Sequence, residues 1–151
     1  MRLILLFCIL SVPLFSLGQT AKPKPRASAV PDTLFTALGS FRGINLGADQ
    51  LKPLIDSSLK VTDGAGNFYP VDSFIFYYTQ KDETLNEETN RKETFLYTVE
   101  YRSNAAELPE LWRKVIKGKL RKDETISFER VLIKLPNGKL YLAPPLKIQV
   151  Q

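Results

Sequence analysis

The sequence predicts a mainly β fold of the α+β kind: a single antiparallel, β-sandwich-like domain over residues 33–151 with one helix packed on it. Three observations carry this. Residues 71–80 (VDSFIFYYTQ) and 94–102 (TFLYTVEYR) are dense in β-branched and aromatic types, which suit a pleated, half-buried surface. Near the C-terminus an Asn137-Gly138 hairpin signal stands between apolar runs, and the last residues alternate apolar and polar, the period of a strand with one buried face. Only residues 109–116 combine a helix-start signal with a clear apolar stripe at helical spacing.

The chain ahead of the domain reads as a leader. Arg2 is a short positive start, residues 3–17 are almost wholly apolar, and Ser16 and Gly18 stand at −3 and −1 of a cut before Gln19. That is the pattern of a secretory signal peptide over 1–18, cleaved between Gly18 and Gln19, and it predicts a periplasmic protein. A membrane anchor fits less well, because fifteen residues interrupted by Pro13 fall short of the ~20 that span a bilayer. Cys8 is the single cysteine. The large Phe7 before it argues against a lipoprotein site, which needs a small residue there. After cleavage the chain holds neither cysteine nor histidine, so an exported domain that could have used disulfides must rely on its core. Residues 19–32, rich in Pro, Ala and Lys, read as an extended, solvated lead without hydrophobic periodicity.

Within the domain, Leu34, Thr36 and Leu38 alternate with Phe35 and Ala37 to give a first strand ending at Gly39. A turn-rich stretch with Gly43 and Gly47 follows. Leu51, Leu54, Ile55 and Leu59 then fall at roughly helical spacing after Asp49, although Pro53 suits only the first turn of such a helix. Residues 63–67 (DGAGN) read as an ordinary turn, since the acidic spacing of a calcium loop is missing. In the two central strands Phe74, Phe76 and Tyr78 share one face, and Phe95, Tyr97, Val99 and Tyr101 share another. The polar segment between them, residues 81–93, is expected as a long exposed tip of an antiparallel hairpin. Aromatic stripes of this kind suit a sugar-stacking platform or, more simply, core and cross-strand pairing.

Pro109 suits the first turn of the helix, and Leu108, Leu111, Trp112, Val115 and Ile116 form its apolar stripe. Trp112 is expected as the plug between helix and sheet. Glu110 precedes Arg113 and Lys114 at ion-pair spacing, and Gly118 marks the stop. Ile126, Phe128, Val131, Leu132 and Ile133 then lead into Asn137-Gly138. A two-residue type I′ turn is expected there, because Asn-Gly tolerates positive φ at both central positions. Leu140 and Leu142 lead out, and Leu146, Ile148 and Val150 alternate with Lys147 and Gln149 in the last strand.

Composition narrows the chemistry. Only Arg2 leaves with residues 1–18, so the formal charge falls by one from +5 to +4. That mild excess, with no recognisable binding motif, is no nucleic-acid signature. The commonest general base, a thiol nucleophile and the usual zinc ligands are missing from the processed chain. No G-x-S-x-G, phosphate loop or dinucleotide fingerprint is present. The reading is therefore non-catalytic, with no cofactor and no metal. The acids Glu83, Glu87, Glu88 and Glu93 are the one carboxylate grouping of a glycosidase type, and they crowd the expected solvated tip.

Charge is distributed unevenly. Residues 113–122 hold Arg113, Lys114, Lys117, Lys119, Arg121 and Lys122 with no acid among them, while Asp82, Glu83, Glu87, Glu88 and Glu93 face only Arg91 and Lys92. A helix end accounts for part of the basic cluster. The rest, Lys117, Lys119, Arg121 and Lys122, is a candidate docking patch for an acidic envelope partner.

The order helix, Lys117-Gly118, Ile126-Ser127-Phe128-Glu129, Pro136-Asn137-Gly138-Lys139 and Pro144-Pro145 resembles the C-terminal domain of the gliding-motility protein GldM, of the type IX secretion machinery. The resemblance is best over residues 113–150. Over 33–112 it is weak, with only the order of elements and the glycine-rich start agreeing. It implies a periplasmic protein–protein interaction module. In that family an inner-membrane protein reaches partners beneath the outer membrane and transmits force to them. This chain has no counterpart of the family's membrane helix or other periplasmic domains, so the expectation is a stand-alone partner or adaptor and not the motor shaft. The rival expectation is an exported β domain that binds glycan or peptide on its tyrosine-rich strands.

Overall fold

A computed structural model describes Pro31 and residues 33–151. The expected leader, its Gly18–Gln19 cut, Cys8 and, apart from Pro31, the lead 19–32 lie outside the described residues. The elements in chain order are β1 (Leu34–Leu38), β2 (Asn45–Leu46), α1 (Ala48–Leu54), β3 (Leu59–Asp63), β4 (Phe68–Tyr69), β5 (Val71–Asn86), β6 (Arg91–Ser103), α2 (Glu110–Lys119), β7 (Thr125–Lys134), β8 (Leu140–Leu142) and β9 (Leu146–Val150). They form a small sheet, β1-β3-β4, and a large one in the order β2-β9-β7-β5-β6, with β8 pairing the far half of β7. Pairing is antiparallel throughout except where β2 runs parallel to β9.

One hydrophobic core joins the sheets. Leu34, Leu38, Leu59 and Val61 of the small sheet pack in the same cluster as Phe74, Phe76, Tyr78, Ile126, Phe128 and Ile148 of the large one. The two layers are also tied by polar contact, because the Thr36 hydroxyl donates to the Pro144 carbonyl at 2.6 Å. Phe128 packs edge-on to Phe74 and tilted against Phe76, with centroids 5.4 and 5.3 Å apart. Such aromatic geometry adds to simple burial.

The described residues form two helices where the sequence predicted one clear helix and a local helical turn. Leu51 and Ile55, fully buried, anchor α1. Pro53 lies in its last turn and not in its first. A proline has no N–H to extend the ladder, so the helix closes at once and Leu59 begins β3 instead. In α2 the Trp112 ring sits between Phe76, 6.1 Å away, and Tyr101, 5.7 Å away, which places it between helix and sheet as expected. Ile116 and Leu120 are buried, whereas Leu111 is 72% exposed and drops out of the predicted stripe. Gly118 lies inside the helix, which continues to Lys119.

The central hairpin is more regular than the composition suggests. Residues 81–86 and 91–93 continue the β5–β6 ladder down to Asn86 opposite Arg91, leaving a tight turn in place of a long tip. Asn86 accepts the backbone N–H groups of Glu88 and Thr89 at 3.0 and 3.1 Å, and Asn90 takes a positive φ of 52°. Side-chain bonds of this kind let Asn organise a turn locally.

The second hairpin also departs from expectation. Gly138 has φ +80° while Asn137 is not in the left-handed region. The Gly138 N–H bonds to the Leu135 carbonyl at 2.8 Å, and the Leu135 N–H bonds to the Lys139 carbonyl at 2.9 Å. This is a three-residue loop of Pro136, Asn137 and Gly138, with a left-handed glycine closing it. Pro136 holds φ near −65°, which seeds an ordinary β-turn one residue earlier than the type I′ pair would sit.

Candidate functional site

The basic connector after α2 is held from beneath by one buried carboxylate. Glu124 is 1% exposed. It accepts the Tyr78 hydroxyl at 2.6 Å, the Arg121 backbone N–H at 2.9 Å and the Lys81 backbone N–H at 3.1 Å. Burial first, and then the bond to Glu124, pushes the Tyr78 phenol well above its ordinary pKa. Asp123, at φ +68°, donates its N–H to the Val150 carbonyl at 2.8 Å, and Val150 returns one to Glu124 at 2.9 Å. The connector is therefore tied at once to β5, to β9 and to its own helix end. A buried charge is tolerated when its lone pairs are filled in this way.

Sequence patterning held the signal for Glu124. It lies two residues before Ile126 and four before Phe128, both buried, so period 2 puts it on the core face of β7's approach. An acid in phase with a core stripe demands partners, and Tyr78, opposite Ile126 in the register, supplies one.

Above this anchor the predicted basic residues divide. Lys119 and Arg121 line one cavity of about 80 Å³ together with Gln80, Asp82, Tyr97 and Glu124. Lys122 is exposed next along the loop. Lys117 belongs elsewhere: its ammonium donates to both carboxylate oxygens of Asp56, at 2.9 and 2.8 Å, just beyond α1. Lys114 is paired within the helix to Glu110 at 2.7 Å. Among the described residues Lys119, Arg121 and Lys122 make no ion pair. Of the four candidate residues, Lys117 is thus engaged with Asp56, and the other three stand on the connector itself.

The acidic side is reorganised too. Glu83, Glu87, Glu88 and Glu93 lie along a regular hairpin, where Lys92 meets Glu83 at 3.5 Å and Asn86 bonds Glu93 at 2.8 Å. Asp82 at the base of that hairpin shares the cavity with Lys119 and Arg121. Lys81 pairs with Asp123 at 2.7 Å, a bond that holds the Asp123 carboxyl below its ordinary pKa. The acidic and basic stretches therefore meet along one border.

The tyrosine strands divide by face. Tyr78 and Phe76 are core, Tyr97 and Tyr101 are half-buried, and Tyr97 donates its hydroxyl to Gln80 at 2.9 Å. On the opposite face Tyr77, Thr79, Thr98, Ser127 and Lys147 border a shallow polar hollow of about 340 Å³. At the 63–67 turn, the Asp63 carboxylate accepts the Ala65 and Asn67 N–H groups at 2.9 and 2.8 Å, the Asn67 amide at 2.8 Å and the Tyr69 hydroxyl at 2.9 Å. Its acceptor capacity is spent on the turn itself.

Among the described residues no helix is long and apolar enough to cross a membrane. No protein-family model and no curated protein sequence matches the chain.

Proposed function

We propose that this chain is a periplasmic, non-catalytic protein–protein interaction module, exported by a cleaved leader. In this reading it serves as a partner or adaptor in an envelope complex of the gliding-motility or type IX secretion kind, as the resemblance of residues 113–150 to the GldM C-terminal domain implies. The observation that carries the reading is the pairing of exposed cations with a fixed base. Lys119, Arg121 and Lys122 stand on a connector whose backbone is bonded to the buried Glu124 and to β9. Charges presented on a rigid loop lose little freedom when a partner docks, and a basic patch raises the rate of encounter with an acidic one.

The test is charge reversal. Lys119→Glu, Arg121→Glu and Lys122→Glu should each change the unfolding free energy by no more than about 0.5 kcal/mol, as for ordinary surface changes. Capture of partners from an envelope extract should fall, and the parent's own capture should weaken as salt rises, because exposed charges are screened beyond about 8–10 Å. Parent-like capture by the reversed protein at low and high salt would sink the reading. Retention on glycan resins, lost on replacing Tyr77, would favour the rival glycan-binding reading, for which the polar hollow beside Tyr77 is the supporting feature.

A further inference from the structure

Among the described residues the large sheet ends on β6, thirteen residues long, which pairs there with β5 and with no other strand. Among the described residues, no backbone hydrogen bond reaches its outer edge. A long free edge is a template for another strand, and proteins usually guard one with charge, proline or a bulge. Charges stand near both ends of β6, at Arg91, Lys92 and Glu93 and at Glu100 and Arg102. The middle, residues 94–99 (TFLYTV), carries none. Phe95 and Leu96 are 45% and 61% exposed there, so apolar surface is left uncovered beside the free edge.

We propose that this edge pairs with β6 of a second copy of the chain, antiparallel about a two-fold axis at Leu96, to give one sheet running through both copies. A two-fold axis perpendicular to the sheet keeps the faces of the two copies matched and sets one residue opposite itself. With Leu96 on the axis, Lys92 faces Glu100, Thr94 faces Thr98 and Phe95 faces Tyr97, each twice. All three are favourable cross-strand pairs. Moving the axis to Tyr97 sets Lys92 against Arg102. Moving it to Phe95 sets Lys92 against Thr98 and carries Glu100 out to Asn90 in the turn. Charge and ring pairing therefore select one register.

The faces agree with that choice. Phe95 and Tyr97 lie opposite Asp82 and Gln80 on the side of the sheet that carries Tyr78 and Phe76, and their rings are already 6.1 Å apart within one copy. Self-pairing sets two such ring pairs side by side. On the other face the needed charges are accessible: the Lys92 and Glu100 side chains are 78% and 43% exposed. Their present partners, Glu83 at 3.5 Å and Arg102 at 3.1 Å, are solvent-facing as well.

The experiment is sedimentation of the full chain over a range of concentrations, with disulfide trapping in a Cys8→Ser background. A monomer–dimer equilibrium is expected. Leu96→Cys should link two copies under mild oxidation, while Phe95→Cys and Tyr97→Cys should not, since only the axial residue meets itself at disulfide distance. Glu100→Lys should weaken the dimer about tenfold, because the change enters twice, and Lys92→Glu with Glu100→Lys should restore it. Two results overturn the proposal: a chain that stays monomeric at every concentration, or one in which Phe95→Cys links as readily as Leu96→Cys. A monomer that takes up an extended peptide from another protein at β6 would assign the edge to a different partner.

Discussion

The Tyr78 hydroxyl donates to Glu124 at 2.6 Å inside the core, and that bond joins the central strand to the base of the basic connector. Tyr78→Phe removes one of three donors to the carboxylate and should cost about 1–3 kcal/mol. Glu124→Ala strands the Arg121 and Lys81 backbone N–H groups together with the Tyr78 hydroxyl, and should cost about 3–5 kcal/mol. Urea unfolding of both variants and of the double variant measures the coupling. Additive losses would mean that the two residues act independently.

Trp112 fills the space between α2 and the sheet, but its ring is only partly enclosed. Full burial of such a side chain corresponds to a loss of about 3–5 kcal/mol on truncation to Ala, so Trp112→Ala should lose about 2–3 kcal/mol. Equilibrium unfolding checks this directly, and a midpoint equal to the parent's would show that α2 is held by Ile116 and Leu120 alone.

The 63–67 turn should be acid-sensitive. Hydrogen bonds to the Asp63 carboxylate, the Asn67 amide foremost, hold it below its ordinary pKa against an opposing effect of burial. A group with a depressed folded-state pKa stabilises fully above its unfolded value, near pH 4 for a carboxylate, and that stabilisation disappears as pH falls through the folded value. Asp63→Asn should therefore destabilise the protein at neutral pH and lose less on acidification than the parent. Thermal midpoints from pH 7 down to pH 2 give the comparison, and parallel curves would contradict it.

Much of the fold is legible in the sequence, and the exceptions have physical causes. Period-2 patterning identifies β1 and β9, and the aromatic runs identify the centres of β5 and β6. The outer hairpin, residues 81–86 and 91–93, does not read as strand because its residues face water on both sides: Glu83, Thr84, Lys92 and Glu93 are all exposed, and an unburied ladder leaves no hydrophobic period. In β7 the buried set switches phase between Phe128 and Val131. A bulge at Arg130, φ +47°, inserts the extra residue, and the register to β5 shifts there. At the 135–139 loop, Asn137-Gly138 signals a hairpin correctly, while Pro136 decides the turn. In the basic stretch, sequence density alone could not separate Lys117 from its neighbours, because its partner Asp56 lies 61 positions away.

Crosslinking within intact cells tests most directly whether Lys119, Arg121 and Lys122 present a docking face. A photo-crosslinking amino acid at position 119 or 122 should yield a discrete adduct with an envelope protein. The same group at position 139, equally exposed on the 135–139 loop, should yield none. Adducts at 139 as strong as those at 119 and 122, or no adduct at 119 and 122 in a correctly exported protein, would contradict a docking face on the connector.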